Sequence, residues 1–203
     1  MSHVVINLNA DISDYFEEVV GGAMRARNVD VTPAASSYVV GLLCEYAHPS
    51  AASERTFDEP LTFALRDALE ANGKERFKRL RMLGDHVLYA LGFFGGHLEM
   101  RGVAKSYVVG VGTTAYTEAA SMLKLNPKHT DAGHDVLREL ARKFKPVADV
   151  LADVAEGTLA CGAKDERSVV KMYERWLKTG STRLAEELGA QGILPTRGSG
   201  GLH

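Results

Sequence analysis

Along almost the whole chain apolar side chains recur three and four residues apart, and clean alternation of apolar and polar residues over five or more positions is nearly absent. That spacing belongs to helices with one buried face, whereas a half-buried strand requires a period of two. The pattern predicts an all-α fold, a single-domain helical bundle of about seven to eight helices. A length of 203 residues suits one such domain, and a chain of this size buries roughly 70% of its unfolded surface. The helical domain is expected over 1–190, and the polar, glycine-rich end of the chain over 191–203 is expected to be disordered.

Individual helices follow from stripes and caps. Phe16, Val19, Val20, Ala23 and Met24 line one face of a first helix, with Asn9, Asp11 and Ser13 as cap candidates. Thr32 and Pro33 open a second helix, apolar on nearly every side from Tyr38 to Leu43 and therefore central. A third is capped by Asp58, carries Leu61, Leu65, Ala68 and Leu69 on its inner face, and stops at Asn72-Gly73. The fourth opens on the basic run "KERFKRLR", buries Leu80, Leu83, Val87, Leu91 and Phe94, and is expected to break at Gly95-Gly96. The β-branched, glycine-bearing segment that follows favours a strand by propensity. It is nevertheless read as a helix over 106–124, because a lone strand would have nothing to pair with. A later apolar stripe runs from Val136 to Val154 straight through Pro146, so that helix is expected to kink or restart near Lys145. A loop over 157–163 and two short helices complete the chain.

Charge and cysteine usage narrow the function classes. A formal net charge of −2 gives the chain as a whole no basic excess for nucleic acid, so nucleic-acid binding is not expected. Cys44 and Cys161 form no CxxC and no zinc-type Cys/His pair, which favours a reducing compartment. No apolar run reaches the ~18 residues of a membrane span and the first residues do not resemble a signal peptide. The expectation is a cytoplasmic protein without a membrane partner.

Four constellations could carry chemistry. Glu45 and His48 have the Glu-x-x-His spacing of di-metal carboxylate proteins, echoed by Asp131 and His134, with Glu118 the one fair further acid. The competing reading makes each pair an ordinary helix end. His86 and His97 flank an apolar run with Tyr89, Phe93 and Phe94, a set that could wall an apolar ligand or haem-like cofactor or simply fill a core. Eleven positions on a continuous helix separate the histidines by about 16 Å, too far to share a metal. Lys74, Lys78 and Arg81 fall on one face of the basic run and form a candidate interaction patch for phosphate or an acidic protein surface, against the plainer possibility of a solvated, paired face. A helix-turn-helix in "STRLAEELGAQGILP" is undercut by Gly192 and Pro195, where a recognition helix should continue. No phosphate loop, GxSxG or HExxH occurs, and no cofactor is implied.

Glycine inside a helix costs about 1 kcal/mol relative to alanine, so Gly84 beside Asp85 requires a compensating contact. The expected one is close packing of Gly84 against Gly110 or Gly112, with Asp85 hydrogen-bonded to Tyr107 or Tyr116. Two stretches, "RLRMLGDHVLYALGFFGGHL" with "KSYVVGVGTTAYTEAASML", and "YERWLKTGSTRLAEELGAQGILP", are similar to an uncharacterised bacterial family of all-helical proteins. The matching residues include Arg81, Leu83, Gly84, Asp85, Gly92, Phe93, Phe94, Tyr107, Gly112, Ala115, Tyr116 and Trp176. Where that family has a double tyrosine this chain has Tyr107-Val108. The resemblance implies a helix over 106–124 and brings no activity, cofactor or catalytic residue. The function expected from the residues is a non-catalytic interaction or scaffold module acting through protein–protein contacts, including a possible homo-oligomer, and the alternative is an apolar-ligand or haem-like site beside Phe93, Phe94 and His86.

Overall fold

The computed structural model describes residues 8–47, 60–124, 131–162 and 166–193. Among them the chain is helical, with nine helices and no strand: α1 (Leu8–Ala26), α2 (Pro33–Ala47), α3 (Leu61–Glu70), α4 (Gly73–Met100), α5 (Lys105–Lys124), α6 (Asp131–Arg142), α7 (Phe144–Gly162), α8 (Glu166–Thr179) and α9 (Thr182–Ala190). The chain divides into two compact units, Met1–Ala152 and Asp153–His203, with α7 running across the boundary.

In the first unit α4 and α5 make the most extensive pairing, α6 packs on α5 and α2, α1 on α2, and α3 on α4 and α5. Tyr116, Phe144, Leu43, Leu80, Leu88, Leu140 and Leu151 are its largest fully buried side chains. The second unit has a small core of Met172, Trp176, Leu184 and Leu188, against which Val169, Tyr173, Ala185 and Ile193 pack. Packing there extends past residue 190 to Ile193, while residues from 194 onward lie outside the described part of the expected tail.

Several local expectations change. Gly95-Gly96 does not end α4, which continues to Met100. Two glycines make a helix less favourable without removing any backbone donor, so the ladder of hydrogen bonds can run through them. The stop comes at Gly102, whose φ of +76° suits glycine. There the Val103 and Gly102 amides donate to the carbonyls of Leu98 and Glu99, the paired bonds of a Schellman cap. α1 ends in the same way with Asn28 at a φ of +54°, and it begins at Leu8, so Asn9, Asp11 and Ser13 lie inside the helix instead of capping it. The loop expected over 157–163 is helical as far as Gly162. Phe94, expected on the buried stripe, is 52% exposed. The restart between α6 and α7 falls at Lys143, three residues before Pro146, which puts the proline in the first turn of α7, where its missing N–H has no intrahelical partner to lose.

Three glycines set how closely helices of the first unit approach. A side-chain carbon at Gly84 would overlap the Tyr116 ring, one at Gly112 the Phe144 ring, and one at Gly92 the side chain of Leu151. Gly84 therefore packs against the ring of Tyr116 and not against Gly110 or Gly112, because a flat ring fills the space that a missing Cβ opens. Nothing approaches an added carbon at Gly110. The two positions should respond oppositely to alanine. Gly84→Ala overpacks a buried contact and should lower stability by about 1–3 kcal/mol, whereas Gly110→Ala gains helix propensity at no steric cost and should raise it by up to about 1 kcal/mol. Thermal melts of the two variants check this, and a raised melting temperature for Gly84→Ala would contradict the close-contact account.

Candidate functional site

The polar centre of the first unit is Asp85 on α4, 7% exposed. Its Oδ1 accepts hydrogen bonds from Tyr38 Oη on α2 at 2.6 Å and from Tyr116 Oη on α5 at 2.7 Å. The two rings meet edge to face with centroids 6.5 Å apart, and Tyr116 is flanked on another side by Phe144 at 5.6 Å. Arg81, one turn before Asp85, brings its Nε to 3.7 Å from Oδ2. Burial pushes the Asp85 carboxyl up, and that effect outweighs the downward pull of the two tyrosine hydrogen bonds and of Arg81. Burial, with the adjacent carboxylate, also pushes the Tyr38 and Tyr116 hydroxyls above the usual tyrosine range, so both remain donors. One of the two tyrosines expected for Asp85 is thus its partner. The other, Tyr107, exchanges a hydrogen bond with Thr62 on α3 at 2.6 Å.

A cleft of about 440 Å³ lies on the outer side of this network, lined by Ala34, Ser37 and Tyr38 of α2, Phe77 and Arg81 of α4, Leu123 of α5, and Val136 and Leu137 of α6. Among the described residues its lining is apolar apart from Ser37, Tyr38 and Arg81. Such a mixture, a hydrophobic body with few polar groups, is the usual composition of a small-molecule site.

A second polar joint ties α6 to the start of α2. Glu139 accepts from the Thr32 hydroxyl at 2.6 Å, from the Thr32 amide at 3.2 Å, and from Lys143 Nζ at 2.9 Å. Lys143 also donates to the Asp30 carbonyl. Burial alone would raise the Glu139 carboxyl, but the bonds from Thr32 and Lys143 outweigh it and hold the group below the usual range. Thr32 keeps its expected capping role as well, its Oγ1 accepting from the Ala35 amide at 3.3 Å.

The residues expected to hold a ligand or cofactor sit elsewhere on α4. Tyr89 is stacked between Tyr46 of α2, at 4.2 Å, and Phe93, at 4.5 Å, with Phe94 edge-on at 5.9 Å. His86 meets the Tyr46 ring at 6.2 Å. Both faces of the Tyr89 ring are thereby covered. His97 is on the same continuous helix, about 16 Å further on by helical rise, and its side chain lies outside the described residues. Glu45 is exposed on α2, and His48 lies outside the described residues, as do the side chains of Asp131 and His134. Among the described residues no three His, Cys, Asp or Glu side chains gather as a metal cage, and no helix is long and apolar enough to cross a membrane.

The basic run occupies the start of α4, where Lys74, Lys78, Arg79 and Arg81 are exposed and Leu80 is buried. Arg79 pairs with Glu75 at 2.7 Å and Arg76 with Glu118 of α5 at 3.3 Å. Lys74 and Lys78 are exposed and, among the described residues, form no ion pair. Gly84, Asp85 and Tyr116 come together, while Gly112 belongs to the Phe144 contact. Sequence reasoning missed Tyr38, Ser37 and Phe77 at the cleft and Glu139 at the joint. The one available signal was a tyrosine hydroxyl inside the apolar run of α2, which had to find a partner. No family model, curated protein or solved structure matches the chain.

Opposite shifts at the two carboxylates predict opposite pH dependences. Asp85 is raised in the folded state from an ordinary 3.8, so its contribution to stability is fullest at low pH and declines as pH rises through the folded value. Glu139 is lowered from 4.5, so its contribution is present at neutral pH and is lost on acidification through the folded value. The melting temperature of Asp85→Asn relative to wild type should therefore improve as pH rises above 3.8, whereas the deficit of Glu139→Gln should hold from neutral pH down to 4.5 and shrink only on further acidification. Parallel pH trends in the two variants would contradict these assignments.

Proposed function

We propose that the protein is a non-catalytic helical interaction module whose first unit engages an acidic protein surface through Lys74, Lys78 and Arg81. The observation that carries this reading is the placement of exposed lysines on the first two turns of α4, beside two arginines already matched to glutamates. The N-terminal end of a helix bears partial positive charge, and a cation in its first turn costs about 0.3–1 kcal/mol where an acid would gain as much. Concentrating basic residues there is unfavourable for the isolated fold and favourable for meeting an anionic partner. A self-associated form would bring like charges together at this patch, so a homo-oligomer would use another face. The alternative, an apolar or haem-like ligand beside Phe93, Phe94 and His86, rests on the half-exposed Phe94 at the end of the stacked rings. A planar group could not insert against Tyr89, both of whose faces are already covered.

Double charge reversal, Lys74→Glu with Lys78→Glu, should leave the melting temperature within about 1 kcal/mol equivalent of wild type, because both sites are exposed. It should weaken binding of a labelled Glu/Asp-rich peptide by tenfold or more in fluorescence anisotropy at low salt. Undiminished peptide binding by the variant, or tighter binding of wild type to duplex DNA than to the peptide, would overturn the reading. An absorbance spectrum of freshly purified protein with a visible-range chromophore would favour the alternative.

A further inference from the structure

The geometry points to the cleft beside Tyr38 and Arg81 as a binding site for a small amphipathic monocarboxylate, a ligand with an apolar chain and one anionic head. This goes beyond the protein-binding reading and shares only Arg81 with it. The volume of about 440 Å³ lies within the ordinary range of small-ligand sites, roughly 300–1,000 Å³. Phe77, Leu123, Val136 and Leu137 supply apolar wall from three helices, against which one side of an alkyl or aryl body can lie. The polar end is set by Arg81, whose Nε lies 3.7 Å from Oδ2 of Asp85. Among the described residues its terminal nitrogens make no hydrogen bond. A guanidinium presents those two donors in a fork that matches a carboxylate.

Charge selects the head group. Asp85 stands behind Arg81 and offsets part of its charge, so the cleft can neutralise one further negative charge more readily than two. A cationic ligand would meet Arg81 directly and be repelled. The Ser37 hydroxyl lines the same cleft and can donate to the same head. Tyr38 is held by Asp85 and serves as wall, with its hydroxyl already committed.

Octanoate is the probe, with octylammonium as the control of equal chain length and opposite charge, titrated calorimetrically against the full chain. Wild type should bind octanoate and should bind octylammonium at least tenfold more weakly. Arg81→Gln should weaken octanoate by about tenfold or more, the scale of a charge-assisted hydrogen bond. Ala34→Phe, on an exposed position of α2 at the cleft, should block the site without touching the Asp85 network. The double reversal at Lys74 and Lys78 should change octanoate affinity by less than threefold, which separates this site from the proposed protein-binding patch. Equal binding of the two probes, no octanoate binding by wild type, or full octanoate affinity in Ala34→Phe would each overturn the proposal.

Discussion

A single carboxylate oxygen holds three helices in register. Oδ1 of Asp85 receives the hydroxyls of Tyr38 and Tyr116, which arrive from α2 and α5 onto α4. Removing a carboxylate from water is costly unless it is well hydrogen-bonded, and two phenol donors on one oxygen offset part of that cost without introducing a second charge into the core. The arrangement is directional in a way that apolar packing is not. Sliding α4 along either partner by one turn would leave that partner's hydroxyl without its acceptor and the buried carboxylate with one donor fewer.

The ring contacts that surround this point follow from it. For the Tyr116 hydroxyl to reach Asp85, its ring must lie flat against α4, and it does so over Gly84, where no side chain stands in the way. Phe144, which flanks Tyr116, is seated in turn over Gly112 of α5. Each glycine therefore serves a specific ring, and each ring holds the next. The cost of glycine within a helix is offset by aromatic surface removed from water and by a hydrogen bond that no larger residue would allow.

The helical class was legible because the apolar period of 3.6 is repeated in almost every segment, and it persists even where propensity favoured strand, as in the β-branched start of α5. Helix ends were less legible. At Gly95-Gly96 composition suggested a stop, yet the end is decided by which residue can take a positive φ with two carbonyls in reach, and Gly102 does so. The pairing of Gly84 with a buried partner could be anticipated from its cost alone, but the identity of that partner could not, since spacing within one helix carries no information on what crosses it. For the same reason Tyr116 could be named for Asp85 while Tyr38 was missed. Glu139 was hidden in a sequence whose stripe explains its neighbours Val136, Leu137 and Leu140 and is silent about a carboxylate that caps a helix more than a hundred residues away.

Division of labour along α4 links this architecture to the proposed roles. Its first two turns are basic and exposed, its middle carries Gly84 and Asp85 into the core, and its last turns present stacked aromatic rings. Arg81 stands at the junction of the first two regions, with its Nε facing the buried carboxylate and its side chain half exposed at the cleft. A charge so placed is oriented by the core but remains accessible to solvent, which restricts its side-chain freedom before any ligand arrives. Preorganisation of that kind reduces the entropy lost on binding. The same carboxylate that sets helix register thus also determines where the Arg81 guanidinium can act at the cleft.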